Sequence, residues 1–286
     1  MKLCRFSLGT ESRVRVGLVE GDHVVADLSA EGIDTLSGLL EYEGLLAELG
    51  RLAALPLPRY PMSEVRILPP VERQEVWAAG VTYLRSKRAR MEESDFSATA
   101  YDRVYEAPRP EIFFKSMPEK VVGTGEAVGI RRDARWNVPE PELVLVFNSR
   151  GHVVGYSIGN DMSSRDIEGE NLLYLPQAKM YDRSCAMGPW IVVGVGEMEA
   201  RGWTIRIAIR RSGAVVFQGE TSVGQIKRSF GELAEYLLRC QRFPHGACLL
   251  TGTGIVPGDG FTLAEGDEVA IEISGIGILT NPVVVV

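Results

Sequence analysis

The run Val138-Pro-Glu-Pro-Glu-Leu-Val-Leu-Val146 and the return leg that ends at Asn160-Asp161 constrain this chain more than any other feature. Leu143–Phe147 reads as a strand that reaches Asn148-Ser-Arg-Gly151, a polar turn with glycine last, and His152–Ile158 runs back from it. Glu140 and Glu142 stand two apart. Side chains on an extended strand alternate, so both carboxylates leave from one face. A turn centred on Ser149-Arg150 sets 138 opposite 161 and 140 opposite 159. Cross-strand partners share a face, so Asp161 joins the two glutamates on the same side and at the same end. A slip of one residue breaks this arrangement.

Three converging carboxylates with no Cys or His among them make a hard oxygen site, suited to Mg²⁺, Mn²⁺ or Ca²⁺ rather than zinc. The competing reading is a solvated acidic strand edge, with Pro139 and Pro141 there to block edge pairing. Apolar strands on either side and the matched Asp161 favour the metal.

Composition bounds the rest. A chain of 286 residues can hold a large domain and a small companion, and 45% hydrophobic with 24% charged residues is ordinary for a soluble globular protein. No apolar run approaches the roughly 20 residues of a membrane span. Met1-Lys-Leu-Cys-Arg5 lacks the apolar core of a signal peptide, so a cytoplasmic protein is expected. The net charge of −7 comes with acidic and basic residues mixed, which recommends no nucleic-acid partner. Cys4, Cys185, Cys240 and Cys248 have no C-x-x-C spacing and lie in apolar surroundings, so buried free thiols are expected.

Residues 1–68 read as a small β-plus-helix domain. Lys2–Leu8, Arg13–Leu18 and Val24–Leu28 have strand patterns, and Ile33–Ala54 reads as one helix with Leu39, Leu40, Leu45, Leu46 and Leu49 on a stripe. Pro56, Pro58 and Pro61 end it. This domain carries no cluster of chemical residues. The second domain, residues 69–286, is entered through Val65-Arg-Ile-Leu68 and holds all the candidate chemistry.

Within it, strand Glu75–Ala79 stops at Gly80-Val-Thr-Tyr83. A basic helix follows over Leu84–Glu93, with Arg85, Lys87, Arg88 and Arg90. Leu84–Glu106 is expected as a mobile cover that brings positive charge to an anionic substrate, against the plainer reading of a solvated face. In Arg109-Pro-Glu-Ile-Phe-Phe-Lys115 alternation places Glu111 and Lys115 on one face flanking Phe113, where a surface ion pair is the alternative. Lys179 stands inside the apolar stretch Leu172–Asp182. Desolvation there lowers a lysine pKa toward values useful in proton transfer, unless the amine snorkels to water. Thr204–Ile209 and Ala214–Gly219 read as a hairpin, and Ile226–Arg239 as a helix with Phe230, Leu233 and Leu237 inward. Thr251-Gly-Thr-Gly254 has its glycines in the wrong order for a nucleotide fingerprint, yet its small residues and hydroxyls suit close approach to a carboxylate.

Taken together, Gly80-Val-Thr-Tyr83, Phe113-Phe-Lys115, Glu140-Pro-Glu142, Gly155-Tyr-Ser-Ile-Gly-Asn-Asp161, Ser163-Ser-Arg-Asp166, Lys179, Gly188-Pro-Trp190, Thr251-Gly-Thr253 and Gly275-Ile-Gly277 resemble the fumarylacetoacetate hydrolase family over about residues 66–286. The resemblance implies an α+β, mostly β fold: a mixed β-roll catalytic domain behind a small N-terminal domain. It implies one divalent cation, usually Mg²⁺, on Glu140, Glu142 and Asp161, a chelated 2-oxo acid, and a homodimer or homotetramer. Arg109–Lys115, Pro139–Glu142 and Glu170–Lys179 are similar to the family's dehydratases of 2-keto-3-deoxy sugar acids. Hydrolases of the family carry a water-activating histidine where this chain has Ser86. Its histidines, His23, His152 and His245, fall outside the motifs. A serine hydroxyl is a poor general base at neutral pH.

Dehydration is therefore the expected reaction, with C–C hydrolysis as the alternative and a non-catalytic metal or acid-binding protein as the third class. Lys179 and Glu111 are the candidates for acid and base, in either assignment. Thr253 is expected to hold the substrate carboxylate. Arg85, Ser86, Phe113, Lys115 and Gln177 are the other candidates for substrate contact.

Overall fold

The computed structural model describes residues 1–84, 103–258 and 260–286. Most of the expected cover, including Arg85 and Ser86, lies outside these residues. The first sixty-eight residues supply β1 (Lys2–Leu8), β2 (Arg15–Glu20), β3 (Val24–Asp27), β4 (Arg59–Pro61) and β5 (Val65–Leu68). The strands that carry the expected chemistry follow: β6 (Glu75–Gly80), β7 (Glu111–Ser116), β8 (Val121–Val122), β9 (Val128–Ile130), β10 (Asn137–Val138), β11 (Pro141–Phe147), β12 (Val153–Asp161) and β13 (Ser163–Ser164). The chain closes with β14 (Cys185–Val192), β15 (Thr204–Arg211), β16 (Ala214–Ser222), β17 (Ala247–Leu250), β18 (Glu268–Ile273) and β19 (Gly277–Val285).

Among the described residues, one large sheet runs in the order β4-β3-β2-β1-β14-β12-β11-β17-β6-β7, and a second in the order β16-β15-β18-β19-β9. Most pairs are antiparallel, but β17–β6, β14–β8 and β19–β9 are parallel. This is the mixed, mostly β architecture expected. Helices among the described residues are short, and none of them is long and apolar enough to cross a membrane. The large sheet crosses residue 68 without a break, because Lys2 and Leu3 of β1 pair with Val192 and Ile191 of β14. Strand β5 pairs back onto β1.

Both faces of the large sheet are covered, so β11 is buried along its whole length. Leu143, Leu145 and Phe147 enter one apolar cluster with Tyr156, Ile158 and the inward residues of the second sheet. Val144 and Val146, on the other face, join Val76, Ala78, Leu250 and the leucines of residues 1–68. Glu140 and Glu142 belong to this second face by alternation, and they lie where its apolar surface ends.

Three expectations are corrected here. The helix expected over Ile33–Ala54 is two helices, Leu36–Leu39 and Leu45–Ala53, separated at Gly44 with φ 71°. Glu41 is gripped by the hairpin tip: its carboxylate accepts from the Ser149 N–H and hydroxyl, and its carbonyl from Arg150. Leu46, placed on the buried stripe, is exposed. Second, Cys4, Cys185 and Cys248 are buried free thiols as expected, but Cys240 is exposed at the end of the helix Phe230–Leu238.

Third, the hairpin register differs by two residues. Glu142 pairs with Gly159, and the Asp161 N–H donates to the Glu140 carbonyl at 3.0 Å. Asn148 and His152 close the turn by a 3.1 Å bond, which centres it on Arg150, and a bulge between Val146 and Phe147 adds one residue more. The combined shift is even. The three carboxylates therefore keep their common face.

Candidate active site

Five strand ends meet at one point. The start of β11 brings Glu140 and Glu142, the end of β12 brings Asp161, and the end of β17 leads into Thr251-Gly252-Thr253. Strand β6 ends in Gly80 beside the start of β7, with Gly80 paired to Glu111. A narrow cleft is lined by Ala79, Gly80, Val81, Phe113, Glu140, Glu142, Asp161, Lys179, Gly252 and Thr253.

The carboxylates are buried, with one oxygen of each lying within 4.8 Å of the others. Such a group is costly unless it is compensated. Lys179 Nζ lies 2.6 Å from a Glu140 oxygen and 3.0 Å from an Asp161 oxygen. Arg165 Nη2 lies 2.6 Å from the second Glu140 oxygen, and Lys115 Nζ 2.6 Å from the second Asp161 oxygen. Glu142 accepts from the Gly252 N–H at 2.6 Å. Burial first, then the charges of Asp161 and Glu140, push the Glu142 carboxyl well above the usual carboxylate range. Lys179, Arg165 and Lys115 compensate Glu140 and Asp161 by charge. The donor set is all oxygen and fits a hard divalent cation on Glu140, Glu142 and Asp161.

The two lysines do different work. Lys179 lies in the helix Leu175–Lys179, fully buried, with Nζ 5.8 Å from the Phe113 ring centre and open to the cleft. Lys115 stands behind the carboxylates. Besides Asp161, its Nζ donates to the Met162 carbonyl at 2.9 Å and the Lys179 carbonyl at 2.5 Å. Two backbone carbonyls take hydrogen bonds from this ammonium, and Asp161 is its charge partner. The expected substrate contact of Lys115 thus gives way to a supporting position. Lys115→Met should lower stability by up to about 3–5 kcal/mol, because it takes one of two buried ammonium partners from Asp161 and the donor from the Met162 and Lys179 carbonyls. Denaturant unfolding in excess chelator checks this, and an unchanged midpoint would refute it.

Gln177 is corrected as well. Residues two apart on a helix point about 200° apart, so an inward Lys179 leaves Gln177 outward, and it is exposed. Phe113 and Thr253 do line the cleft. The Thr253 hydroxyl exchanges 3.2 Å contacts with the Ile255 backbone. Glu111 reaches the site over Gly80, where an added Cβ would fall 1.9 Å from its Oε2. Gly252, at φ 90°, is equally constrained: a Cβ there would meet the Thr82 hydroxyl at 2.1 Å. Arg165 and Gly252 escaped the sequence reading as site residues. A basic residue four positions beyond Asp161 was a faint signal for the first. A backbone donor carries none.

A mixed β fold with a buried tricarboxylate centre and an adjoining buried lysine defines a class of metal-dependent enzyme acting on small acids. The fumarylacetoacetate (FAA) hydrolase C-terminal family matches residues 75–284. The chain belongs to the fumarylacetoacetate hydrolase family. It is 48% identical over 217 residues to a "Probable 2-keto-3-deoxyxylonate dehydratase" of Haloferax volcanii, covering 76% of this chain and 74% of that protein. It is 42% identical over 230 residues to the 2-dehydro-3-deoxy-D-arabinonate dehydratase of Saccharolobus solfataricus, covering 79% and 77%. The solved structure of 2-keto-3-deoxy-D-arabinonate dehydratase with magnesium and 2,5-dioxopentanoate superposes with a TM-score of 0.84 at 33% identity, covering 100% and 99% of the two chains.

Proposed function

We propose that this protein is a magnesium-dependent dehydratase of a 2-keto-3-deoxy sugar acid, which it converts to a 2,5-dioxo acid when the substrate is a pentonate. The observation that carries the reading is Lys179: a buried amine open to the cleft, within 3.0 Å of two of the three carboxylates. The relatives named as dehydratases of such acids, and the neighbour that holds magnesium and a dioxo acid, support it.

A divalent ion on Glu140, Glu142 and Asp161 would supply charge to match a 2-oxo acid's carboxylate and the negative charge that grows on its oxo oxygen. The chain's own groups do the rest. Thr253 and the neighbouring backbone hold the carboxylate end, and Phe113 packs along the carbon chain. One of Lys179 and Glu111 takes a C3 proton, and the other delivers a proton to the departing C4 hydroxyl. The 5-hydroxy-2-oxo-3-enoate so formed becomes the 2,5-dioxo acid when a C5 proton leaves, C3 is protonated and the resulting enol ketonises. Hydrolysis would need a group that activates water. No histidine lines the cleft, which favours elimination.

A panel of 2-keto-3-deoxy pentonates and hexonates, run beside acylpyruvates with Mg²⁺, tests the reaction. The expected result is loss of water, with solvent deuterium entering C3. Pyruvate from an acylpyruvate, with no turnover of any deoxy sugar acid, would falsify the proposal. The same reading takes the protein as a cytoplasmic homodimer or homotetramer, in which residues 1–68 serve by packing. A monomer by light scattering at micromolar concentration refutes the assembly.

A further inference from the structure

Glu111 lies over the cleft residue Gly80 at the start of β7, and the groups that hold this strand's lead-in lie outside the site. Residues 104–108 turn a row of backbone carbonyls toward one guanidinium. Arg228 is only 7% exposed. Its Nη2 donates to the carbonyls of Ala107 at 2.7 Å and Val104 at 3.2 Å. Its Nη1 donates to the Pro108 carbonyl at 3.5 Å and to the Glu232 carboxylate at 2.5 Å. Lys227 works beside it, with Nζ 2.7 Å from both the Tyr105 carbonyl and Glu106 Oε2. Its backbone N–H donates to the Thr82 carbonyl at 3.0 Å, and the Thr82 hydroxyl donates to the Thr251 carbonyl at 2.6 Å.

These two residues therefore join two segments beside the cleft. One is Gly80–Thr82, packed on Gly252. The other is the lead-in to β7, which sets Glu111 against Gly80 and Phe113 on the cleft. A buried guanidinium depends on its acceptors, and charge-assisted bonds to several carbonyls hold a backbone more firmly than neutral ones. Two residues, Arg109 and Pro110, separate Pro108 from Glu111, so freedom at 104–108 would pass directly to the Glu111 carboxylate over Gly80.

We propose that Arg228, with Lys227, is a positioning residue of this enzyme: it sets where Glu111 stands in the cleft without touching substrate. The inference rests on the reading of Glu111 as a proton-transfer group. Displacement of such a group by about 1 Å costs up to ~100-fold in rate, so Arg228→Met should lower kcat by ~10–100-fold. KM and the stabilisation by magnesium should stay as they are.

The discriminating experiment is a double-mutant cycle with Glu111→Gln. Residues that act as a unit are not additive. Arg228→Met should therefore lower kcat in the otherwise native enzyme and lower the residual kcat of Glu111→Gln no further. An equal additional loss in that background, or an unchanged kcat in the single variant, overturns the proposal while leaving Glu111 in its role. Full kcat in Glu111→Gln alone would remove that role and the proposal with it. If Arg228→Met does not fold, Lys227→Met, whose side chain is 36% exposed, is read in the same two backgrounds. A non-additive loss supports the positioning role, and an additive loss or none overturns it.

Discussion

Lys179→Met is expected to cut kcat by ~10²–10⁴, the usual worth of a general acid or base, while magnesium still binds. Methionine keeps the length and apolar stem of lysine but has no proton to give or accept. The site should survive the change. Arg165 still compensates Glu140 from one side, and Lys115 still compensates Asp161 from the other. A bound cation would take over the neutralising part of Lys179's role, since the amine lies against the same two carboxylates a cation would use. The measurement is kcat beside the rise in melting temperature on adding Mg²⁺. Loss of turnover with the rise retained is the expected pair. Native turnover in the variant would remove Lys179 from the chemistry, and loss of both signals would make it a structural lysine.

Glu142→Gln is expected to abolish both turnover and stabilisation by magnesium. Glu142 differs from its two neighbours. Glu140 and Asp161 each meet ammonium or guanidinium groups, whereas Glu142 is held by the Gly252 N–H. It therefore gains most from a cation, and its raised pKa shows how poorly this pocket tolerates its charge without one. The sign of the pH dependence follows. A proton favoured at Glu142 must leave when metal binds, so magnesium affinity should weaken as pH falls through that raised pKa. Glutamine is nearly isosteric and removes one of three mutually repelling charges, so the variant without metal should be no less stable than the native protein. Native protein at 100 times its magnesium Kd should gain about 2.7 kcal/mol. Thermal unfolding with and without chelator reads this gain, and a full gain in the variant would mean that the cation sits elsewhere.

Residues within one strand were legible because alternation is a local rule. Glu140, Glu142 and Asp161 were placed on one face from spacing and a turn. The error of two in register did no harm, since only an odd slip turns a side chain to the opposite face. Strand β6, the hairpin β15–β16 and the inward Phe230, Leu233 and Leu237 were legible for the same reason. The expected single helix over Ile33–Ala54 divides at Gly44, which takes a left-handed φ of 71°, and the hairpin tip holds Glu41 in the segment between the two helices.

What the sequence by itself determined is the chemistry on offer: three oxygen ligands at one strand end, a lysine in an apolar stretch, and no histidine near either. Only the tertiary structure decided how those groups are used. Lys115 and Lys179 read alike in sequence, each a single amine among apolar neighbours. In the fold one is tied to two backbone carbonyls behind Asp161, and the other opens on the cleft. Arg165, Gly80, Gly252 and Arg228 enter the account through contacts between residues 25 or more apart in the chain. Periodicity fixes the face from which a side chain leaves its own strand. Which strand lies alongside, and which backbone N–H or carbonyl then meets that side chain, depends on long-range pairing, and no local pattern encodes it.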